Sequence, residues 1–157
     1  MVYNLHKTQQ LYCSIETAWE FFSSPQNLSR ITPAEMKFQV LSELPEGNIF
    51  EGMVINYKVS PVLGIKMNWQ TEITTVNEQE NFTDIQRKGP YKLWSHFHEF
   101  IPNELGVMMK DTVDYELPFS LVGSIAHALF IRRKLEHIFD YRQKICEKLF
   151  NSQKQHG

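Results

Sequence analysis

The chain has 157 residues, of which 42% are hydrophobic and 22% charged, the size and composition of one globular domain with a sizeable core. Its net charge of −2 excludes the basic field that attracts nucleic acid or an anionic membrane surface. The N-terminal residues lack the apolar core of a signal peptide, and no apolar run is long enough to span a bilayer. We therefore expect a cytoplasmic protein without a membrane span. Its two cysteines, Cys13 and Cys146, match no metal or redox spacing and are expected to be reduced thiols.

The N-terminal part predicts one strand followed by two short helices. Residues 2–12 alternate loosely between polar and apolar side chains, as a strand does. Ser14 has the side chain of a helix N-cap, and apolar residues then recur at helical spacing until Pro25 ends the pattern. A second short helix is predicted over Gln26–Ile31, before a Thr-Pro pair.

The central part changes to a period of two, which is typical of strands with one buried face. Short turn segments such as Gly89-Pro90 separate the strands, so consecutive strands are expected to be antiparallel neighbours. The six predicted strands cover residues 36–44, 48–60, 65–76, 81–88, 91–101 and 106–118.

The C-terminal part returns to helical spacing from Phe119 to Phe150. A helix of roughly 27 residues spans about 40 Å and cannot bury its apolar stripe alone, so it must lie across the sheet. The order of elements predicts an α+β fold in which a curved antiparallel sheet wraps around a long C-terminal helix. We assign residues 1–150 to a single domain and residues 151–157 to a frayed tail.

Three segments carry a resemblance to a known superfamily. They are CSIETAWEFFSSPQNLSRITP, FTDIQRKGPYKLWSHFHEF and DTVDYELPFSLVGSIAHALFIRRKLEHIFDYRQ. Together with the element order, they resemble the START-like (SRPBCC) superfamily, which includes the birch pollen allergen and polyketide aromatase/cyclases. The resemblance implies a helix-grip fold with a deep cavity between helix and sheet, which in this superfamily binds hydrophobic or amphipathic small molecules.

Strand parity predicts which side chains face that cavity. In the strand 106–118, the alternate residues from Val107 to Leu117 are apolar except for Asp111 and Tyr115, so this face is the inner one. In the strand 91–101, the row from Trp94 to Phe100 includes His96 and His98. We assign this row inward because it is bulkier and the resemblance centres on it, although the opposite face is also fairly apolar.

These assignments predict a binding site for a hydrophobic or amphipathic small molecule, such as a lipid, an isoprenoid or a polyketide-like aromatic compound. Polar side chains would fix one end of the ligand, and aromatic and methionine side chains would contact its apolar body. Access is expected near the second short helix and the Pro61–Gly64 loop. The predicted ligand contacts are Trp69, Asp84, Trp94, His96, His98, Met109, Asp111, Tyr115 and Arg142, with Tyr57, Met67 and Phe97 as further apolar contacts.

Arg132 and Arg142 fall in or beside the apolar stripe of the long helix. We favour a structural interpretation, in which both reach the rim or pair with carboxylates of the sheet. The alternative is that one of them binds an acidic group of the ligand.

Three alternative functions use the same residues or the neighbouring loop. His96, His98, Asp111 and Tyr115 are candidate catalytic residues for cyclase-, dehydratase- or hydrolase-like acid–base chemistry. His96 and His98 with Asp111 or Asp84 would form a two-histidine, one-carboxylate metal site, but two histidines on one strand are a weak signal and we predict no metal and no cofactor. The loop SPVLGI is a candidate patch for a co-chaperone-like protein interaction, or a lid.

Overall fold

The computed structural model describes residues 1–60, 64–118 and 125–151. Seven strands form one antiparallel sheet in the order β1-β7-β6-β5-β4-β3-β2. The N-terminal strand therefore pairs with the last strand, and the other strands form a meander. The strands are β1 (Val2–Leu11), β2 (Gln39–Val40), β3 (Val54–Val59), β4 (Met67–Asn77), β5 (Asn81–Lys88), β6 (Leu93–Asn103) and β7 (Gly106–Glu116).

The helices lie on the inner face of this sheet. Helix α1 (Ile15–Phe22) begins where the Ser14 hydroxyl accepts a hydrogen bond from the Thr17 amide, as an N-cap does. A 3₁₀ helix (Pro25–Ile31) and a 3₁₀ turn (Ala34–Met36) follow. Helix α2 (Ile125–Phe150) has 26 residues and a length of about 39 Å.

The predicted architecture is confirmed: a curved antiparallel sheet, short helices after β1 and a long C-terminal helix. The predicted start of α2 at Phe119 and residues 61–63 of the loop lie outside the described residues. No helix within the described ranges combines the length and apolar character needed to cross a lipid bilayer.

Two of the predicted strands are longer than the observed ones. β2 ends at Val40 because the amides of Leu41 and Ser42 both donate to the same carbonyl of Asn56, which breaks the pairing register. β3 begins only at Val54, because a turn at Gly52 with φ of 90° and a hydrogen bond from the Met53 amide to the Phe50 carbonyl precede it.

The chain end that we assigned to the tail begins inside the folded domain. Asn151 is buried, and its side-chain oxygen accepts a hydrogen bond from the Tyr12 amide at 3.1 Å. Its side-chain nitrogen donates to the Gln10 carbonyl at 3.3 Å. This residue therefore joins the end of α2 to the end of β1.

The core is divided into two apolar clusters along the inner face. The first includes Trp19, Phe82, Phe100, Met109 and Cys146, and lies under α1. The second packs on the middle of α2 and includes Trp69, Val113, Tyr115, Leu135 and Phe139.

Candidate functional site

A cavity of about 190 Å³ lies between the inner face of the sheet, α1, the 3₁₀ helix and α2. This is slightly larger than the roughly 150 Å³ of an engineered apolar cavity that binds benzene. Most of its wall is hydrophobic or aromatic, with polar groups at one corner. The apolar lining includes Phe22, Leu28, Ile31, Ile55, Val59, Trp69, Ile73, Phe82, Tyr91, Trp94, Leu135 and Phe139.

The polar corner is built by the inward row of β6. His96 and His98 are 6% and 5% exposed, and their ring centroids lie 3.6 Å apart with the ring planes tilted by 32°. The His98 ring stacks on Phe82, with centroids 4.0 Å apart. Both imidazoles interrupt the apolar face, so they lie between the two core clusters.

Two carboxylates flank the histidines, one from each neighbouring strand. In the sheet register, Asp84 of β5 lies opposite His96, and Asp111 of β7 lies opposite His98. The hydrogen bonds cross this register: His96 Nε2 donates to Asp111 Oδ1 at 2.8 Å, and His98 Nε2 donates to Asp84 Oδ2 at 2.7 Å. Each imidazole is thus oriented by the diagonal carboxylate, and not by the one opposite to it.

Arg142 of α2 completes the cluster from the other side of the cavity. Its Nη2 lies 3.5 Å from Asp111 Oδ1, and its guanidinium lies 5.5 Å from the ring centroid of Phe22. The side chain is only 11% exposed and also lines the cavity. The structural interpretation of Arg142 thus holds, since it pairs with a carboxylate of the sheet. Arg132 instead pairs with Glu136 on the exposed face of α2.

Burial and charge pairing set the protonation of this cluster. Burial alone would raise the pKa of Asp111, but Arg142, the hydrogen bond from His96 and the nearby His98 ring hold it well below its ordinary value. Burial would likewise raise the pKa of Asp84, but the hydrogen bond from His98 and nearby positive charges lower it. Both carboxylates are therefore ionised at neutral pH.

The two histidines are pushed in opposite directions. Burial and the neighbouring His98 lower the pKa of His96. Burial would lower the pKa of His98 as well, but its close contact with Asp111 and its hydrogen bond to Asp84 outweigh burial and raise that pKa. With His98 protonated, its positive charge and that of Arg142 balance the negative charges of Asp84 and Asp111.

One ring nitrogen of each histidine is left without a hydrogen bond. His96 Nδ1 lies 3.8 Å from Asp84 Oδ2, which is beyond hydrogen-bond range. Because His96 donates through Nε2 and is neutral, its Nδ1 is an acceptor on the side of Asp84. His98 Nδ1 lies 3.2 Å from Asp111 Oδ1 but has no well-aligned partner among the described residues.

The cavity wall includes six of the nine predicted ligand contacts and excludes three. Met109 and Tyr115 are buried in the two core clusters, and Asp111 lies behind the histidines. The six residues that line the cavity are Trp69, Asp84, Trp94, His96, His98 and Arg142.

Two further predicted apolar contacts do not line the cavity. Phe97 lies on the opposite face of β6 from His96 and His98, as strand alternation requires, so its assignment to the cavity was wrong. Met67, at the start of β4, does not line the cavity either. Tyr57 does line it, and its hydroxyl lies 3.0 Å from Thr71 Oγ1.

Tyr91 and the apolar residues that α2 contributes to the wall were not among the predicted contacts. Tyr91 shares the parity of Leu93, which lies on the face opposite to His96 and His98. Tyr91 precedes the first residue of β6, so strand alternation does not apply to it, and its ring reaches Trp69 and Trp94. Leu135, Ile138 and Phe139 of α2 line the cavity. Their positions in the apolar stripe indicated only that they are buried, and not that they face a cavity.

No family model matches this chain, and no curated protein matches it. Solved structures do match it across nearly its whole length. A START superfamily protein from Mycobacterium smegmatis has 16% identity and a TM-score of 0.68, with 93% of this chain and 98% of that chain covered. Ara h 8.0201 has 14% identity and a TM-score of 0.59, with 94% and 99% covered.

The di-domain ARO/CYC StfQ from the steffimycin biosynthetic pathway is also similar. It has 9% identity and a TM-score of 0.72, and the match covers 98% of this chain and 52% of that chain. Identities this low show a shared fold and nothing more specific. The chain therefore has the helix-grip fold of the START-like superfamily.

Proposed function

We propose that this protein binds a compact, mostly apolar small molecule in the cavity between the sheet and α2. The observation that carries the proposal is the wall itself, which is aromatic and aliphatic except at the His/Asp/Arg corner. A cavity of about 190 Å³ suits a ligand of one or two rings, or a short branched chain, better than a long fatty acid.

The polar corner favours a ligand with a hydroxyl group. His96 Nδ1 and the Asp84 carboxylate are both acceptors, so they select a group that donates a hydrogen bond. The charges of the corner already balance, and a ligand carboxylate would add a buried negative charge next to Asp84. A phenol or an alcohol therefore fits the corner better than an acid does.

Acid–base catalysis at the same corner has less support than binding. The alternative included Tyr115 as a hydrogen-bond donor to the substrate, but Tyr115 packs against Tyr3 and does not line the cavity.

Both cysteines are free thiols, as expected for the cytoplasmic location that we retain as part of the proposal.

The test is a calorimetric titration of chelator-treated protein with two matched probes, 2-naphthol and 2-naphthoate. We expect one 2-naphthol to bind per chain, and 2-naphthoate to bind more than about 10-fold more weakly because its charge is not compensated. Equal affinity for the two probes would contradict the hydroxyl preference, and no saturable binding of 2-naphthol would contradict the proposed function.

Variants locate the binding event. His96→Gln removes the ring acceptor, and we expect it to weaken 2-naphthol binding about 3- to 10-fold, the effect of one hydrogen bond. His6→Gln is the matched control, because His6 is exposed on β1 and its Nδ1 bonds only to Thr112 among the described residues. An equal effect of the two changes would place the probe outside the cavity.

A further inference from the structure

Asp84, His96 and His98 bring three metal-ligating groups together at the cavity wall. Each offers one nitrogen or oxygen ligand atom, and these atoms all lie within 4.8 Å of one another. Asp84 Oδ2 lies 2.7 Å from His98 Nε2 and 3.8 Å from His96 Nδ1. Ligand atoms around a tetrahedral Zn²⁺ are about 3.4 Å apart, so small side-chain rotations would bring the three atoms to binding distance.

We infer that Asp84, His96 and His98 form a binding site for a divalent transition-metal ion, with Zn²⁺ the first candidate. Two imidazoles and one carboxylate are a common ligand set for such ions, and they leave coordination positions open. All three residues line the cavity, so an open position faces its interior. This inference goes beyond small-molecule binding and does not depend on it.

Asp111 occupies the place of an outer-shell carboxylate. Histidines that bind a metal usually donate their other ring nitrogen to a carboxylate or a carbonyl, which fixes the ring and its tautomer. Asp111 Oδ1 accepts from His96 Nε2 at 2.8 Å and lies 3.2 Å from His98 Nδ1. Asp111 thus faces Nε2 of His96 and Nδ1 of His98, while Asp84 faces the other ring nitrogen of each.

The proton balance of the site is compatible with metal binding. His96 is neutral with its proton on Nε2, so Nδ1 has a free lone pair for the ion. His98 would bind the ion through Nε2 and carry its proton on Nδ1, towards Asp111. Arg142 stays beside Asp111 and is not a ligand.

The sequence pattern favoured no metal, because two histidines on one strand are a weak signal by themselves. The structure adds the crossed geometry, in which Asp84 of β5 and Asp111 of β7 lie on opposite sides of the imidazole pair, and this geometry favours a metal site. Asp111 orients His96 through Nε2, and this leaves His96 Nδ1 facing Asp84 Oδ2 at 3.8 Å.

The test is a titration of chelator-treated protein with Zn²⁺ by calorimetry, and with Co²⁺ by visible absorption, in the absence of any small-molecule probe. We expect one ion per chain and the absorption band of four- or five-coordinate Co²⁺. Asp84→Asn and His98→Gln should each weaken binding by more than the about 10- to 100-fold that we expect for Asp111→Asn. His6→Gln should leave binding unchanged.

Absence of saturable binding at one ion per chain would overturn the inference, and so would binding that Asp84→Asn leaves intact. If a ligand variant unfolds, the wild-type protein still decides. Its free energy of unfolding must rise with Zn²⁺ concentration as RT ln(1 + [Zn²⁺]/Kd), with the Kd that the titration gives. 2-Naphthol binding to chelator-treated protein is measured separately, so failure of the metal site and failure of the cavity proposal are distinguished.

Discussion

His96 and His98 are buried side chains that are held by complementary charges and not by solvent. Two buried carboxylates would repel each other strongly in the core unless cations were placed beside them. Here Arg142 and a single imidazolium supply those cations, and the 3.6 Å between the two ring centroids disfavours a second proton. The cluster is therefore one coupled unit, and removal of Asp84, Asp111 or Arg142 leaves an unbalanced charge.

Asp111→Asn tests this balance in chelator-treated protein. The substitution leaves Arg142 and the imidazolium with one carboxylate, and we expect the free energy of unfolding at neutral pH to fall by about 3–5 kcal/mol. The folded-state pKa of Asp111 is lowered, so its stabilising effect is present above the ordinary aspartate pKa and is lost as the pH falls through the lowered value. Denaturant unfolding of both proteins should show a difference that is largest near neutral pH and closes in acid.

A pH-independent difference between the two proteins would contradict this assignment of charge. Glu116→Gln is the control for a carboxylate, because Glu116 pairs with Lys92 and the N-terminal amine near the surface. It should change stability at neutral pH far less than Asp111→Asn does, because solvent screens its ion pairs.

At the residue scale, strand parity placed Trp94, His96, His98 and Phe100 on one face, but it took their bulk and the family resemblance to assign that face inward. It did not predict the crossed pairing, because the registers of β5 and β7 against β6 decide which carboxylate meets which ring. It also placed Tyr115 on the inner face without showing that α2 and β1 cover it away from the cavity.

The β6–β7 hairpin is the element that brings His96, His98 and Asp111 together. It turns at Gly106, whose φ of 138° favours glycine. A Cβ at this position would overlap the carbonyl oxygen of Leu11 and lie 2.8 Å from that of Cys13. The backbone after β1 therefore packs directly against the hairpin turn.

Gly106→Ala should lower the free energy of unfolding by at least about 3 kcal/mol, from backbone strain and from the clash with the chain after β1. Gly47→Ala is the matched control: its φ is 94°, but a Cβ there meets no atom within 4 Å. We expect that change to cost about 1–2 kcal/mol. Equal losses in chemical denaturation would show that the close approach to Leu11 does not matter.

The 3₁₀ turn Ala34–Met36 and α2 meet across one side of the cavity. Glu35 Oε1 lies 2.6 Å from His137 Nε2, and their neighbours Met36 and Ile138 both line the cavity. Both partners are exposed, so the pair contributes about 0.2–1 kcal/mol.

Glu35→Gln should therefore raise the dissociation rate of 2-naphthol about 1.5- to 5-fold, measured by stopped-flow fluorescence of the cavity tryptophans. Glu46→Gln, in the exposed turn after Pro45, is the control and should leave that rate unchanged. A rate that is the same in Glu35→Gln and wild type would show that this contact does not restrict exit of the ligand.

At the element scale, hydrophobic period and turn residues identified every strand of the sheet and the long helix. These patterns did not predict where β2 ends and where β3 begins. The end of β2 depends on the distant carbonyl of Asn56, which accepts from the amides of Leu41 and Ser42. The start of β3 depends on the local turn in which the Met53 amide donates to Phe50.

The interior of the molecule consists of two apolar clusters, with the His/Asp/Arg corner and the cavity between them. The long helix contacts both clusters, with Leu135 and Phe139 in one and Cys146 and Phe150 in the other. The volume and shape of the cavity follow from how α2 lies across the curved sheet, which no local pattern in the sequence specifies.

Cys146 reports on the docking of α2. It is 1% exposed, and burial raises the pKa of its thiol to about 11. In a Cys13→Ser background, we expect it to react with a thiol reagent about 100-fold or more slowly in the native protein than in denaturant. Rapid labelling of the native protein would contradict a tightly docked C-terminal part of α2.

A crystal structure of chelator-treated protein with 2-naphthol would decide directly whether the cavity is the binding site. We expect the naphthyl rings to fill the cavity and the hydroxyl oxygen to lie about 3 Å from His96 Nδ1 or the Asp84 carboxylate. Naphthol bound elsewhere with the cavity unfilled, or bound with its hydroxyl turned away from His96 and Asp84, would contradict this expectation.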